Sequence, residues 1–274
     1  MLMPAEPVTA HADRPPAATA IPAIRVTAVG KTFVTRHGPL EALRDVSFDV
    51  GRREFVAILG PSGCGKSTLM MMCAGLDKPT RGEIAIDGAV LREPRTETGI
   101  MFQDPTLLPW LSVLDNVLIP ITIARTPRAA YRDRALELLS LVGLDGFENK
   151  KPHELSGGMR QRVAICRALI HDTDILLMDE PFSALDAITR DDMGDLLLEI
   201  WQRYAKSALF ITHSIREAVL LADRVLVMGR RPSVITEDLA IPFERPRDRS
   251  VADTPEFTEI CVHLRAAVAQ GTGR

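Results

Sequence analysis

The 274-residue chain is 46% hydrophobic and 25% charged, the balance of an ordinary globular protein with core enough for one large domain or two small ones. A net charge of −3 and a pI near 6.1 exclude the basic surplus that binding to nucleic acid calls for. No uncharged apolar run approaches the ~18 residues of a membrane span.

Met1 to Pro22 holds five of the 19 prolines and many alanines, without the basic start and apolar stretch of a secretory signal, so a disordered tail is expected. Ile24 to Val50 reads as two strands around a Gly38-Pro39 turn, with Val26, Phe33, Val34, Leu43, Val46, Phe48 and Val50 as partly alternating apolar positions. Next comes a short apolar run, Phe55 to Leu59, then Gly60-Pro61-Ser62-Gly63-Cys64-Gly65-Lys66-Ser67-Thr68, then a helical run to Ala74. Strand, glycine turn, helix is the setting in which this spacing means phosphate binding. Glycines let the backbone wrap phosphate oxygens with its N–H groups, and the helix start adds partial positive charge. Lys66 supplies a full charge for the β- and γ-phosphates, and Ser67 a hydroxyl for Mg²⁺. A nucleoside triphosphate is therefore the expected ligand.

Thr80 to Gly88 reads as a strand between turns, and Gly99 to Phe102 as another, ending at Gln103. Leu107-Leu108-Pro109-Trp110-Leu111 is apolar and prolyl, an ordered loop rather than a solvated one. Asp104 to Glu154 holds helical signals and no strand, as a helical insertion would. One helix is expected at Tyr131 to Val142 and another at Ser156 to Ile170, where Met159, Val163, Cys166 and Ile170 line a face. The second opens on Leu155-Ser156-Gly157-Gly158, a good N-cap followed by glycines, hence a second anion-binding helix start. One site cannot easily use both unless two chains meet. Ile175 to Met178 is a strand buried on both faces, closed by Asp179-Glu180-Pro181. One of these carboxylates can support Mg²⁺ while the other polarises water. A long amphipathic helix follows, carrying Met193, Leu196, Leu197, Ile200, Trp201 and Tyr204. Ala208 to Thr212 and Val225 to Met228 are further buried strands flanking a helix at Ile215 to Ala222, and Pro255 to Ala269 is a last helix. The alternation predicts an α/β fold with a mostly parallel sheet covered by helices.

The four cysteines, Cys64, Cys73, Cys166 and Cys261, fit neither a zinc site nor a disulfide framework and read as reduced thiols. Cys64 lies in the phosphate loop at a helix start, so a lowered thiol pKa and inactivation by alkylation are expected.

In this order the motifs resemble those of the nucleotide-binding subunit of an ATP-binding cassette (ABC) transporter. They are the phosphate loop, Gln103, the Leu155 to Gly158 signature, Asp179-Glu180, Ser183-Ala184-Leu185-Asp186 and Thr212-His213, and the likeness covers about Ile24 to Ile241. The resemblance implies a phosphate-loop NTPase core with an antiparallel β subdomain and an inserted helical subdomain. It implies an ATPase unit over 23–250, helical insertion about 104–170, tail 1–22 and C-terminal helical extension 251–274. ATP and Mg²⁺ are the implied cofactors. Phe33 would stack on adenine, and residues Gly60 to Thr68 would hold the phosphates. Glu180 would be the general base. Gln103 and Asp179 would join Ser67 at the metal, and His213 would contact the γ-phosphate. Ser156, Gly157 and Gly158 would close on a second copy's nucleotide, with Asp186 facing that copy.

Phe102-Gln103 with Leu107 to Trp110, Ile215 to Val219, the Arg231-Pro232 pair and Arg245 to Arg249 resemble the nitrate, sulfonate and taurine importers. That implies a homodimer of cassettes at the cytoplasmic face of the membrane, driving separate permease subunits and served indirectly by an extracytoplasmic solute-binding protein. With the last helix at Pro255 to Ala269, the extra regulatory domain of some sugar importers is not expected. The alternative is a soluble ABC ATPase acting on nucleic acid or ribosomes, but there is no long coiled-coil insertion or second cassette here, and no partner nucleic acid is expected. Asn149-Lys150-Lys151-Pro152 resembles a guanine-reading motif without its aspartate, and a simple kinase would not need the Ser156 signature.

Overall fold

The computed structural model describes residues 21–204 and 206–271, so the expected tail falls almost wholly outside the described residues. Strands β1 (Ile24–Thr35) and β2 (Gly38–Val50) form a long antiparallel hairpin, which β4 (Arg81–Ile86) and β5 (Ala89–Val90) extend into a four-stranded sheet of order β2-β1-β4-β5. The hairpin turn lies two residues earlier than the Gly38-Pro39 composition suggests. The Thr35 hydroxyl donates to the Gly38 carbonyl and accepts the His37 N–H, closing the turn at Arg36-His37 and leaving Gly38 as the first residue of β2.

Strand β3 (Phe55–Leu59) leads through the glycine loop into helix α1 (Lys66–Cys73). After β6 (Thr98–Met101) the chain turns helical: α2 (Val113–Val117), α3 (Ile119–Ile123), α4 (Arg132–Leu141) and α5 (Gly157–Leu169). Then β7 (Ile175–Asp179), α6 (Ala187–Tyr204), β8 (Ser207–Ile211), α7 (Ile215–Leu221), β9 (Arg224–Met228), β10 (Ile235–Ala240) and α8 (Pro255–Gln270) follow. The second sheet has the order β10-β9-β3-β8-β7-β6, parallel throughout except for β10 at its edge.

Side chains alternate across that sheet. Phe55, Ala57 and Leu59 face one core with Leu176, Met178, Phe210 and helices α2 to α8, whereas Val56 and Ile58 face a second core with Leu177, Ile211, α1 and the antiparallel sheet. Every residue of β3 is buried, so the glycine loop after it springs from a strand packed on both faces. Arg247 ties the C-terminal segment to this frame. Its guanidinium is buried and donates to the carbonyls of Ala222, Val219 and Leu220, the otherwise unpaired acceptors at the end of α7, and burial lowers its pKa to about 10. Phe257 and Leu264 of α8 join the larger core.

Candidate functional site

The parallel strands end at one edge of the sheet, and the chemistry-bearing residues follow those ends. Ile58 pairs with Ile211, and Ile211 with Asp179. The Thr212 N–H donates to the Ile58 carbonyl at 3.3 Å and the Glu180 N–H to the Ile211 carbonyl at 2.8 Å. That register sets Gly60, Glu180 and His213 side by side, with Gln103 two residues beyond the end of β6 on the outer flank.

In the loop itself, Gly63 and Gly65 have φ of +73° and +112°, backbone that side chains resist. A Cβ on Gly60 would sit 2.8 Å from the Met228 carbonyl, so the loop must begin with glycine to pass strand β9. Lys66 is buried and its ammonium donates to the carbonyls of Gly60 at 2.9 Å and Pro61 at 3.1 Å, which stretches it back along the loop. Ser67 is exposed and Thr68 partly so. Pro61, Ser62, Gly63 and Cys64 line a cavity with Arg230 and Arg231.

The adjacent carboxylates diverge. Glu180 has a φ of +43°, a left-handed conformation unusual for a side chain of this size and a form of strain that clusters at functional sites. Its carboxylate meets His213 Nδ1 at 3.1 Å. Asp179 instead lies beside Ser67 and Lys66. Burial pushes its carboxyl pKa up, the Ser67 hydroxyl pulls it back, and the neighbouring Glu180 charge adds to the rise. Asp179 Oδ1 is buried without a hydrogen-bond partner among the described residues. An orphaned carboxylate oxygen next to a hydroxyl is a hard, all-oxygen donor pair that suits Mg²⁺, an ion usually held by few protein ligands together with phosphate oxygens and water. Among the described residues no three His, Cys, Asp or Glu side chains converge as an all-protein metal cage would need.

Behind His213, the Thr212 hydroxyl donates to Glu217 Oε2 at 2.6 Å and accepts the Ser214 N–H. Glu217 Oε1 lies 3.9 Å from Arg190, which also donates to the Leu185 carbonyl. Burial raises the Glu217 pKa. This half-buried chain from the Leu185 turn to Thr212, the residue before the histidine, had no signature in the sequence beyond the motif ends it joins.

The second glycine turn stands elsewhere. Ser156 caps α5, accepting the Met159 N–H at 3.2 Å. Gly158 is pressed against Thr189, where a Cβ would meet the side chain at 2.5 Å, while Gly157 is exposed and has open space around its Cα. Asp186 caps the facing turn by accepting from the Thr189 N–H and hydroxyl at 3.0 and 2.7 Å, bonds that lower its pKa. The structure thus unites Lys66, Ser67, Asp179, Glu180 and His213 in one place, and Ser156, Gly157, Gly158 and Asp186 in another.

Phe33 belongs to neither core. It is 37% exposed, with the Lys31 ammonium 5.1 Å from its ring centre, so the ring is available for stacking. Cys64 corrects the expectation of a reactive thiol. Its side chain is 2% exposed and points into the second core beneath the loop, so reagent access rather than the helix start governs it. In the native protein iodoacetamide is expected to alkylate half-buried Cys261 well before Cys64, as read by peptide mass spectrometry. Labelling of Cys64 first would contradict its placement.

The Leu107 to Leu111 loop is ordered from beneath. Asn116 is fully buried; its side chain accepts from the Leu108 N–H at 2.7 Å and donates to the Leu108 and Ser112 carbonyls. Lys151 donates to the Trp110 carbonyl at 2.8 Å, and Arg167 to those of Pro105 and Thr106. Trp110 itself is 68% exposed.

Residues 43–183 match the family model described as ABC transporter. The chain is 48% identical over 240 residues to the taurine import ATP-binding protein TauB of Rhizobium johnstonii, covering 85% of this chain and 92% of that protein. It is 44% identical over 236 residues to the nitrate import ATP-binding protein NrtD of Synechococcus elongatus, covering 85% and 86%. Among solved structures, the dimeric post-hydrolysis state of the ATP-binding cassette MJ0796 bound to ADP and Pi superposes with a TM-score of 0.71 at 33% identity, over 81% of this chain and all of that one.

Proposed function

The chain belongs to the ABC transporter family, and from that premise we propose that it is the ATP-hydrolysing subunit of an importer for a small, anionic solute of the nitrate, sulfonate or taurine kind. The convergence of the Glu180–His213 pair with Lys66 and Asp179 at the phosphate loop carries the hydrolytic part of this reading. The relatives named for taurine and nitrate import support the transport part. Neither they nor the structure favours action on nucleic acid.

In this reading the N–H groups of Gly60 to Thr68 and the Lys66 ammonium hold the β- and γ-phosphates, and Phe33 stacks on adenine. Mg²⁺, held by Ser67, Asp179 and Gln103 with phosphate oxygens, would neutralise charge that develops on the phosphoryl group. Glu180 takes a proton from the attacking water, and His213 orients that carboxylate and reaches the γ-phosphate. Ser156, Gly157 and Gly158 of a second copy cover the same nucleotide, with Asp186 at the seam. ATP then joins two copies, and its cleavage removes the join, a differential interaction able to shift a closed–open equilibrium.

No helix among the described residues is long and apolar enough to cross a membrane. In this reading, which the relatives named for taurine and nitrate import support, separate permease subunits pass the solute. The braced loop with exposed Trp110 suits docking onto them at the cytoplasmic face, with an extracytoplasmic solute-binding protein acting upstream. The same reading divides the chain into an ATPase unit at 23–250, with helices inserted at about 104–170, and an extension at 251–274. Deleting the gene in its host and measuring uptake of radiolabelled nitrate, taurine and an alkanesulfonate tests it. Loss of uptake of one of them, restored by the wild-type chain and not by Glu180→Gln, is expected. Undiminished uptake of all three would contradict the solute class.

A further inference from the structure

The segment after β9 grips the phosphate loop from outside. Arg231 Nε donates to the Gly63 carbonyl, and the Ser233 hydroxyl donates to the Cys64 carbonyl. Ser233 Oγ also lies 2.9 Å from the Gly229 carbonyl; with a single proton it serves one acceptor at a time, and the Cys64 contact is the closer. Ser233 is fully buried, and its own backbone is fixed to β2: its N–H donates to the Ala42 carbonyl at 3.0 Å and its carbonyl accepts the Arg44 N–H at 2.9 Å. Leu43, between those two residues, fills the space where a Cβ on Gly65 would fall, 2.9 Å from Leu43 Cδ2. The turn therefore locks loop, core sheet and antiparallel sheet together.

A trans peptide is planar, with its C=O and the following N–H pointing in opposite directions. Holding the Gly63 carbonyl fixes the Cys64 N–H, which closes the loop's own turn by donating to the Pro61 carbonyl at 3.3 Å, and holding the Cys64 carbonyl fixes the Gly65 N–H. The Gly65 N–H is a donor that a phosphate-binding loop must keep turned toward its ligand. We infer that Ser233 is a positioning residue for the phosphate loop, orienting the Gly65 N–H toward the triphosphate, with Arg231 beside it steadying the Pro61–Cys64 turn that precedes that donor. This rests on the reading that residues 60–68 bind ATP. A donor so placed acts on ground-state and transition-state binding alike, so its loss should show in KM rather than kcat.

The test uses the full chain with methylanthraniloyl-ATP as the binding probe and steady-state hydrolysis as the second readout. Ser233→Ala is expected to raise Kd and KM about five- to tenfold with kcat at saturation nearly unchanged, as loss of a buried hydrogen bond implies. Arg231→Met, at an exposed position where folding is not at stake, is expected to raise both about two- to fivefold. If Ser233→Ala fails to fold, Arg231→Met decides. Unchanged KM, or a fall in kcat alone as from a smaller folded fraction, would overturn the inference. Lys66→Ala separates the two levels: if it leaves probe binding intact the loop reading itself fails, whereas if it abolishes binding and the two variants bind normally only the positioning role fails.

Discussion

Glu180→Gln is expected to slow ATP hydrolysis by about 10²–10⁴-fold, the usual worth of a positioned general base. The amide has the shape of the carboxylate and retains a polar contact to His213, now 3.1 Å away, so the left-handed turn at residue 180 has no reason to relax. What it lacks is the ability to take a proton. In the proposed reading the groups that bind the phosphates, Lys66 and the loop N–H donors, are untouched, and one negative charge beside the triphosphate is removed. ATP affinity should accordingly hold or tighten. An unsplit nucleotide should keep two copies joined. Turnover at the wild-type rate would dismiss Glu180 as the base and return the role to Asp179, whose burial beside Ser67 argues for the metal side instead.

Gly157→Asp carries the second large effect, and for a reason outside its own chain. A Cβ at Gly157 meets nothing closer than Leu185 at 3.9 Å and Arg160 at 4.0 Å, and the residue is exposed. A carboxylate at the first turn of α5 even favours the helix dipole. The folded protomer should tolerate it, and its own phosphate loop should bind ATP normally. Set against a second copy's γ-phosphate, however, the new charge opposes closure by about 1–4 kcal/mol at ~4 Å, depending on how far water is excluded. Hydrolysis should fall about 100-fold with nucleotide affinity of the isolated chain retained. Gly158 would be a poorer choice, because Thr189 already fills its Cβ position and any substitution would disturb the monomer.

What the sequence made legible follows from how each element is stabilised. Strands β3, β7, β8 and β9 are buried on both faces and announce themselves as unbroken apolar runs. Edge strand β10 alternates half-buried and exposed positions and carries Glu237 and Asp238, so nothing in its composition marked it. Helices α2 and α3 are five residues each, too short for a periodicity; α2 rests on its Ser112 cap and buried Asn116, and α3, without a side-chain cap, buries only Ile121. The hairpin turn was displaced because a threonine side chain, invisible to a Gly-Pro rule, closes it. At the site, residues contiguous in a motif were readable and those assembled through space were not. Ser233 and Arg231 reach the loop from 169 and 168 residues away. Cys64 was placed correctly in the chain, yet the direction of its side chain depends on packing under the loop.

The claim on which the rest depends is that ATP is shared between the phosphate loop of one copy and the Ser156 to Gly158 turn of another. Light scattering of Glu180→Gln with Mg²⁺ and ATP tests it most directly. The mass should double from the 30.1 kDa of one chain, and adding Gly157→Asp to the same protein should return it to the single-chain value while ATP stays bound. A Glu180→Gln protein that binds ATP and remains single, or a pair that survives Gly157→Asp, would contradict it.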